Sequence, residues 1–308
     1  MINCGSLDEP SRQSTESPTD RSIVRVGGPR RRARAAGVAG GSGRFTAGGW
    51  APVKSEWPLG PEVRRRVISG GAILYDASRA GNLSTAAFDP AYWRSRGEIE
   101  GEARGRGTAY FLRAEGHRWV LRHYCRGGLA ARVSRDQYLW NGETSSRPFA
   151  EWQLTYHLHR AGLPVPAPVA ARYEQQGLTY RGDIITERLS DVLALSECLR
   201  VGALSLLNWI AIGRCLRRFH DLGVCHADLN AHNVLLGRED EVFLVDFDRG
   251  SLRKPGLWCD ANLVRLRRSL EKVTYALPPD RFTEADWHGL LDGYRELDPR
   301  GARPAGSH

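Results

Sequence analysis

The 308-residue sequence is poor in lysine, in methionine and in long apolar runs. Its only lysines are Lys54, Lys254 and Lys272, so arginine supplies nearly all of the basic charge, and Met1 is its only methionine. No stretch reaches the roughly 18 to 20 consecutive apolar residues that a membrane-spanning helix needs. The N-terminus also lacks the short apolar run of a secretory signal. We therefore expect a protein that stays in the cytoplasm.

Cysteine is scattered along the chain. No Cys-x-x-Cys pair is present, and the cysteine density is far below that of a disulfide-rich secreted domain. We expect reduced thiols in the core rather than bridges or zinc ligands, and no structural metal. The six cysteines are Cys4, Cys125, Cys198, Cys215, Cys225 and Cys259.

The net charge of +9 has more than one interpretation. Arginine richness is typical of a GC-rich genome, in which case the charge has no functional meaning. It also suits attraction to phosphates or to an anionic membrane surface. A nucleic-acid partner is disfavoured, because the sequence has no basic helix with interleaved aromatic residues and no zinc-finger or RNP-type pattern. Nothing in the sequence indicates a protein partner.

Residues 1–65 are rich in Ser, Gly, Pro and Arg and show neither helical nor strand periodicity. We expect a disordered leader. The sequence contains no second methionine. The alternative is therefore that translation begins at an unrecognised start codon other than ATG near Val67, so that the leader is not translated. The intact mass of the native protein would test this. Structure is expected to begin at "SGGAILYDAS", near Ser69, and a polar loop is expected to lead from there to the next strand at Thr108.

The rest of the chain is patterned first for strands and then for helices. Two β-rich runs, Thr108–Arg113 and Arg118–Tyr124, flank the turn "AEG" and predict a hairpin. A helix of about four turns follows, with Ser146 as its cap, Pro148 in its first turn and a stop at Gly162. Further strands are expected over 167–173 and 178–186, and further helices over 203–222, 260–275 and 283–297.

This order of elements predicts an α+β fold with two lobes. A small β-rich N-lobe over 66–188 would lie on a larger, mainly helical C-lobe over 189–300, with a cleft near residue 188 and a short tail over 301–308.

The stretch "CHADLNAHNVLLGREDEVFLVDFDRG" (Cys225–Gly250) concentrates polar residues where the chain otherwise builds core. His226, Asp228 and Asn233 form His-x-Asp-x-x-x-x-Asn, and Asp246 follows the apolar run "VFLV". A tight hairpin through "REDE" would bring Asn233 and Asp246 to the same end. One carboxylate to orient a hydroxyl, with an amide oxygen and a second carboxylate as Mg²⁺ ligands, suits phosphoryl transfer.

Turn capping and strand ending are structural alternatives for the aspartates and Asn233. The functional interpretation is preferred because four polar residues occupy this fixed spacing. For His226 a structural role is preferred, with the ring bracing the loop through hydrogen bonds to the backbone. Asn230 and His232 stay open between substrate contact and loop support.

This stretch resembles the catalytic loop and metal-binding motif of the eukaryotic-type kinase superfamily. Within it, "CHADLNAHNVLL" and "VDFDRG" resemble the bacterial 3-deoxy-D-manno-octulosonic acid (Kdo) kinases, relatives of the lipopolysaccharide core heptose kinases. The resemblance extends to "GRGTAYF", "WVLRHYCRGGLAARV", "RPFAEWQL", "AGLPVPAPVAAR" and "NLVRLRRSLEK", and covers about residues 69–295. It implies a two-lobed protein-kinase-like fold, with nucleotide binding in the N-lobe.

The resemblance also implies roles for individual residues. Asp228 would be the catalytic base, and Asn233 and Asp246 would be the Mg²⁺ ligands. Gly105 and Gly107 of "GRGTAYF" match a shortened glycine-rich loop over the phosphates of the nucleotide, for which an ordinary turn is the alternative.

Arg122, in "WVLR", occupies the strand position where protein kinases place lysine, and no lysine lies between residues 55 and 253. Its planar donor fork can clamp the phosphates of a nucleotide, whereas the alternative is an exposed strand arginine. Glu151, one turn into the following helix, is its candidate partner ion. An ordinary helix-face glutamate is the alternative there.

The departures from protein kinases point away from a peptide substrate. Asp248 replaces the glycine of Asp-Phe-Gly, Asn230 replaces the lysine of the catalytic loop, and no Ala-Pro-Glu segment follows. Instead, "RGSLRKPGLW" precedes Arg265, Arg267 and Arg268 on one predicted helix. These arginines could hold an anionic sugar or a lipid phosphate, or could form a solvated helix face.

These features and the resemblance together imply transfer of the γ-phosphoryl group of ATP, with Mg²⁺, to a hydroxyl of Kdo in a Kdo-lipid A precursor. The resemblance implies the 4-hydroxyl. Peripheral attachment to the cytoplasmic face of the bacterial inner membrane follows from a lipid acceptor. The alternatives are a heptose or aminoglycoside kinase of the same fold, a nucleotide-binding pseudokinase and, on net charge alone, a nucleic-acid-binding protein.

Overall fold

The computed structural model describes residues 58–81, 83–104, 107–114, 116–125, 136–254 and 256–296. Within these residues the chain is a mixed α/β structure, in which an antiparallel sheet is followed by a mainly helical region. This agrees with the expected mixture of strands and helices and is consistent with a kinase-like fold. Most of the expected leader, residues 1–57, and the tail over 301–308 lie outside the described residues.

The sheet is built from eight strands: β1 (Val63–Ile68), β2 (Gly71–Asp76), β3 (Ile99–Arg104), β4 (Thr108–Ala114), β5 (His117–His123), β6 (Tyr138–Leu139), β7 (Pro168–Gln176) and β8 (Thr179–Glu187). Seven of them follow the order β1-β2-β7-β8-β5-β4-β3, and β6 pairs with β8. β5 therefore lies inside the sheet, between β4 and β8, where its register is fixed on both sides.

The predicted hairpin through "AEG" is confirmed. β4 and β5 are antiparallel neighbours, with Ala109 opposite Arg122. Since side chains alternate between the two faces of a strand, Trp119 and Leu121 share one face. Both are buried in a core cluster that also contains Trp93. Arg122 lies on the other face of the sheet.

Two expectations about the start of the folded chain are wrong. The sequence predicts structure from Ser69, but β1 precedes that residue and pairs with β2 along its whole length. The segment between β2 and β4 is not a polar loop but holds α1 (Ala77–Ala80), a 3₁₀ turn (Thr85–Phe88), α2 (Pro90–Ser95) and β3. β1 is an edge strand with three consecutive arginines, which is typical of edges and conceals the strand alternation. The helices are too short to show a helical period.

Helix α3 (Arg147–Arg160) lies where the sequence predicts it, with Pro148 in its first turn. Gly162, just beyond its end, has a φ of 73°, as a glycine stop requires. Ser146 is the N-cap residue by position, but its hydroxyl donates to the carbonyl of Glu143 at 2.7 Å instead of capping the helix.

α3 connects the sheet to the helical region through its two faces. Trp152 and Tyr156 are buried in a cluster with residues of the sheet. Leu154 and Leu158 are buried in the main cluster of the helical region. A residue on α3 can therefore contact groups from both parts of the molecule.

The helical region contains α4 (Leu195–Val201), α5 (Leu206–Asp221), α6 (Trp258–Thr274) and α7 (Glu284–Arg295). The last three confirm predicted helices, whereas α4 was not predicted. α5 and α7 cross at glycines: a Cβ on Gly293 would lie 2.1 Å from the carbonyl oxygen of Ile210, and one on Gly213 would lie 2.0 Å from that of Leu290. The two helix backbones are therefore in direct contact.

Five short strands complete the region: β9 (Leu193–Ala194), β10 (Val224–Cys225), β11 (Val234–Leu236), β12 (Val242–Leu244) and β13 (Ser251–Leu252). β11 and β12 form the predicted antiparallel hairpin, with Val234 opposite Leu244. Leu229 and Phe247, beside the polar motif, are buried in the same core cluster as this hairpin. The polar residues of the motif are thus carried by segments whose apolar neighbours are anchored in the core.

Five of the six cysteines lie in the described residues, and no two of them are joined in a disulfide bond: Cys125, Cys198, Cys215, Cys225 and Cys259. Burial raises the pKa of Cys215 to about 12, so that its thiol stays protonated. The prediction of reduced core thiols fits Cys215 and Cys225, which are buried, whereas the other three are only partly buried.

Candidate active site

His226 braces the polar loop between β10 and β11. Its Nδ1 accepts from the backbone N–H of Asp228 at 3.2 Å, and its Nε2 donates to the carbonyl of Val245 at 3.0 Å. Burial lowers the pKa of His226, so the ring is neutral and carries its proton on Nε2. The predicted structural role of His226 is confirmed, because the ring ties the backbone of Asp228 to the chain that follows β12.

The carbonyl oxygen of Asp228 accepts from two asparagine side chains. Nδ2 of Asn230 and Nδ2 of Asn233 each donate to it at 2.9 Å. Oδ1 of Asn230 also accepts from the backbone N–H of His232 at 2.8 Å, and the ring of His232 lies 2.8 Å from the hydroxyl of Ser196. These contacts favour loop support for Asn230 and His232, the role that the sequence left open.

The β11–β12 hairpin brings Asn233 and Asp246 to one end, as predicted. The N–H of Val245 donates to the carbonyl of Asn233 at 3.1 Å, and Asp246 follows with a φ of 64°. A non-glycine residue in this left-handed region is uncommon and is held there by its surroundings. Because Nδ2 of Asn233 is engaged with the loop, Oδ1 is the amide atom that can serve as a cation ligand.

Arg122 joins the sheet to this hairpin. One nitrogen of its guanidinium donates to Oδ1 of Asp246, and another donates to Oε1 of Glu151 on α3. The hydroxyl of Tyr124 donates to the second oxygen of Glu151. Arg122 is therefore not an exposed strand arginine, and Glu151 is not an unpartnered helix-face residue.

Burial raises the pKa of both Glu151 and Asp246, and the positive charge of Arg122 lowers it. Burial raises the pKa of Glu151 to about 7, and Arg122 offsets only part of that effect. Burial acts in the same direction on Asp246, but Arg122 outweighs it, and the pKa of Asp246 is lowered. Asp246 is therefore ionised at neutral pH, as a cation ligand must be.

Asp248 takes part in a second ion pair beside the first. Its Oδ2 lies 2.6 Å from a guanidinium nitrogen of Arg147, at the start of α3. The guanidinium of Arg147 lies over the ring of Tyr138, 4.6 Å from its centroid. Burial raises the pKa of Asp248, and Arg147 opposes that effect. No local pattern in the sequence marks Arg147 or Tyr138, because their partner Asp248 lies far along the chain.

Gly107 passes close to the end of β5. A Cβ at this position would lie 3.1 Å from the carbonyl oxygen of His123 and 3.3 Å from Sγ of Cys125, so glycine avoids a crowded contact there. Gly105 lies outside the described residues. The part of these two glycines in a loop over the nucleotide stays a prediction.

Helix α6 presents three polar side chains to the polar loop between β10 and β11, and we call Asn262, Arg265 and Ser269 the α6 polar stripe. In the same order, their contacts are the carbonyl of His226 at 3.1 Å, Oδ1 of Asp228 at 3.4 Å and the backbone N–H of Ala231 at 3.1 Å. Of these three residues, Arg265 alone was predicted from the sequence. Spacings of three, four and seven residues on an amphipathic helix are the signal that would have found Asn262 and Ser269.

The three arginines of α6 lie on one helix, as predicted, but they do different things. Nε of Arg267 donates to Glu271 at 3.0 Å, and its guanidinium also contacts Glu284 and lies over the ring of Trp287. Arg268 is exposed. Of the three, it is Arg265 that contacts a candidate site residue.

Asn233 and Asp246 fit a Mg²⁺ ion that arrives with a nucleotide. Mg²⁺ is usually held by one or two carboxylates together with substrate phosphates and water. One ionised carboxylate and one amide oxygen at the end of a hairpin form such a set. The described residues contain no group of three or more His, Cys, Asp or Glu side chains that could hold a metal without a ligand from the substrate.

The chain matches the model of the lipopolysaccharide kinase (Kdo/WaaP) family over residues 90–294. It is 43% identical over 218 residues to a 3-deoxy-D-manno-octulosonic acid kinase of Actinobacillus succinogenes, a match that covers 68% of this chain and 90% of the relative. A protein of the same name from Stenotrophomonas maltophilia is 46% identical over 204 residues, which are 66% of this chain and 81% of the relative. A protein of the same name from Haemophilus influenzae is 38% identical over 231 residues, which are 72% of this chain and 95% of the relative.

The family match contains every candidate site residue: Gly105, Gly107, Arg122, Glu151, Asp228, Asn233 and Asp246. It also spans α6 and its polar stripe, and the match covers well over half of the chain. The chain belongs to the lipopolysaccharide kinase (Kdo/WaaP) family.

Proposed function

We propose that this protein transfers the γ-phosphoryl group of ATP to a hydroxyl, the 4-hydroxyl, of Kdo in a Kdo-lipid A precursor. Membership in a family of lipopolysaccharide kinases supports phosphoryl transfer, and the relatives named 3-deoxy-D-manno-octulosonic acid kinase support Kdo as the acceptor. The observation that carries the proposal is the convergence of Asp228, Asn233 and the Arg122–Asp246 contact around one hairpin end.

In this proposal Asp228 is the catalytic base. Its backbone is held by His226 and by two asparagine side chains. The carboxylate would accept a hydrogen bond from the acceptor hydroxyl and orient that oxygen in line with the γ-phosphorus. Positioning of this kind is the main contribution that a protein makes to phosphoryl transfer.

Arg122 is the proposed phosphate clamp on the nucleotide side. Glu151 and Asp246 hold its guanidinium from two directions, and its fork can donate to the phosphates of ATP. Gly105 and Gly107 would let the backbone pass close to the same phosphates. This assigns the nucleotide to the face of β5 that carries Arg122.

Asn233 and Asp246 are the proposed ligands of Mg²⁺. When bound, the ion would neutralise phosphate charge on ATP. Oδ1 of Asn233 and the carboxylate of Asp246 are the protein's share of its ligands.

The two-lobed arrangement is part of the same proposal. β8 ends at Glu187 and β9 begins at Leu193, which supports a boundary near residue 188 between an N-lobe for the nucleotide and a C-lobe for the acceptor, ending near residue 300. The N-lobe would begin at β1 rather than at residue 66. ATP and the acceptor would then approach Asp228 from different parts of the molecule.

We also propose that the protein attaches peripherally to the cytoplasmic face of the bacterial inner membrane. Across the described ranges, no helix combines the length and the apolar character needed to cross a membrane. The proposed acceptor is a lipid, and the net charge of +9 suits an anionic surface. Salt-sensitive flotation with anionic vesicles is expected, and its absence would count against this part of the proposal.

Mass spectrometry of a Kdo-lipid A acceptor after incubation with ATP and Mg²⁺ tests the activity directly. One added phosphate per acceptor is expected, and fragmentation or NMR of the product locates it on the sugar. The Asp228→Asn variant should lose turnover by a factor of about 10² to 10⁴ while still binding ATP. Asp292→Asn, the same change at an exposed carboxylate of α7, is the matched control and should keep wild-type turnover.

An acceptor panel separates this function from its rivals. Kdo-lipid, a heptosylated core acceptor and an aminoglycoside are compared under the same conditions. Preference for heptose or for the aminoglycoside would replace the proposed acceptor. Nucleotide binding without turnover on any of them would favour a pseudokinase, although a base and two metal ligands in place speak against it.

A further inference from the structure

Helix α6 carries a cation directly to the candidate base. Through Asn262 and Ser269, the outer members of the α6 polar stripe, the helix is hydrogen-bonded to the backbone of the catalytic loop on either side of Asp228. Arg265 lies between them, and its Nη1 is 3.4 Å from Oδ1 of Asp228. The backbone of α6 at Arg265 is therefore held beside Asp228 by contacts other than the one that Arg265 makes.

The catalytic loop itself offers no cation at this point. Asn230 stands two residues after the base, and its amide is engaged with the carbonyl of Asp228 and the N–H of His232. Arg122, the cation of the nucleotide side, contacts Asp246 and Glu151. Arg265 is thus a second arginine, which approaches Asp228 from a separate helix.

The contact of Arg265 leaves most of its donors available to a ligand. The bond to Asp228 is its only hydrogen bond within the described residues, and its side chain is 54% exposed. A guanidinium has five N–H donors arranged in a planar fork that matches a carboxylate. Arg267, two residues on, is instead engaged with Glu271, Glu284 and Trp287.

The proposed acceptor supplies the complementary group. A 3-deoxy-octulosonic acid carries a carboxylate on the same ring system as its hydroxyls, so a hydroxyl at Asp228 places that carboxylate within the neighbourhood of the base. With no cation nearby, the carboxylate of the sugar and the carboxylate of Asp228 would repel each other. A guanidinium between these two carboxylates attracts both of them. A neutral sugar would gain nothing from this arrangement.

We infer that Arg265 binds the carboxylate of the acceptor sugar acid and thereby selects an acidic sugar and orients its hydroxyl on Asp228. This inference rests on the proposed function and names the specificity residue of the same site. Arg265 would exchange its long contact with Asp228 for a two-pronged contact with the substrate. The hydroxyl and the carboxylate of one sugar are then held by two neighbouring side chains.

The test compares two acceptors with two variants. Wild type, Arg265→Gln and the control Arg267→Gln are assayed with Kdo-lipid and with its carboxamide analogue, in which the negative charge is removed. Wild type and Arg267→Gln should prefer the acid by about 10- to 100-fold in kcat/KM, the range expected for a charge-assisted pair of hydrogen bonds. Arg265→Gln should lose that preference, mainly through a higher KM for the acid.

Two results would overturn the inference. One is an Arg265→Gln enzyme that discriminates between acid and amide as well as the wild type does. The other is equal loss of kcat on both acceptors with discrimination retained, which would assign Arg265 to the base or to the transferred phosphoryl group. Wild type that phosphorylates neither acceptor would instead reject the proposed function.

Arg265→Lys guards against a folding defect. It keeps the charge and loses the planar fork, so it should keep part of the preference for the acid. Melting temperatures of all variants are compared with wild type. Because Arg265 is half exposed, its replacement should leave the melting temperature close to that of the wild type.

Discussion

Arg122 on β5 donates a hydrogen bond to Asp246, which lies 124 positions further along the chain, just after strand β12. The same guanidinium contacts Glu151, so it has a carboxylate partner on each side before any nucleotide is bound. A phosphate that binds to Arg122 must share it with these carboxylates. The three residues therefore act as one unit, and a change in one alters the position of the others.

Removing the charge of Arg122 should weaken catalysis strongly. Arg122→Met keeps the length of the side chain without its donors, and we expect kcat/KM for ATP to fall by a factor of about 10² to 10³. Arg122→Lys keeps the charge without the planar fork, and its kcat/KM for ATP should lie between those of the wild type and Arg122→Met. Steady-state kinetics with varied ATP are the measurement.

Arg118 provides the control on the same strand. It lies at the hairpin end of β5, with its side chain 53% exposed and 4.0 Å from Glu100. Arg118→Met should keep wild-type kinetics. Equal losses in both variants would show that the effect comes from the strand and not from the contact with Asp246.

Glu151→Gln should raise KM for ATP by about tenfold, the scale of one charge-assisted bond. The substitution keeps the shape and the bond from Tyr124 but removes the charge that holds Arg122 on its α3 side. Glu143→Gln makes the same change in a separate pair with Arg65 and is the control. An unchanged KM in Glu151→Gln would contradict the clamp role of the pair.

Buried His220 should make the protein less stable in mild acid. Its ring lies against Trp258 and Tyr294, whose hydroxyl is 2.8 Å from Nδ1, and burial lowers its pKa from 6.5 to about 4. Between these values the unfolded chain binds a proton that the folded chain does not. The contribution of His220 is therefore fully present above pH 6.5 and is lost as the pH falls towards 4. Its size is about 3 kcal/mol at most.

Urea unfolding between pH 7.5 and 4.5 measures this loss. His220→Phe keeps a ring and removes the titration, so its stability should fall less steeply over that range than that of the wild type. Part of the slope should remain, because burial also lowers the pKa of His226. His288→Phe is the control at an exposed site, and its stability should depend on pH as that of the wild type does. The same pH dependence of stability in wild type and His220→Phe would refute the assignment of this effect to His220.

Gly293→Ala should destabilise the contact between α5 and α7. The added Cβ would lie 2.1 Å from the carbonyl oxygen of Ile210, so one helix must move. Overpacking of this kind costs about 1 to 3 kcal/mol. Chemical denaturation should show the loss, while Gly202→Ala, whose Cβ would approach nothing closer than 4.0 Å, should be much less affected.

The parts of the fold that the sequence predicts are those with a local signal. Helix α3 has a Pro148 start and a Gly162 stop, and the hairpin β11–β12 has two apolar runs around a polar turn. The motif of Asp228 and Asn233 is local as well, since Asn233 lies only five positions after Asp228. Periodicity and spacing suffice where the interacting residues are neighbours in sequence.

The parts that the sequence does not predict depend on distant partners. The pairing of Arg147 with Asp248 joins residues with no pattern in common, and the edge strand β1 forms because β2 offers it a partner. Asn262 and Ser269 belong to the candidate site because α6 packs against the loop that carries Asp228, where both side chains form hydrogen bonds. Side chains of this kind become visible only when tertiary structure supplies the second half of each pair.

The arginine at position 122 has a consequence for chemical detection of this enzyme. A nucleotide analogue built to acylate an amine beside the phosphates needs a lysine there, and the chain has none between residues 55 and 253. A guanidinium stays protonated at neutral pH and is a poor nucleophile. With Arg122 as the phosphate clamp proposed above, we expect surveys that find kinases by tagging their site lysine to pass over this one, even where it is abundant and active.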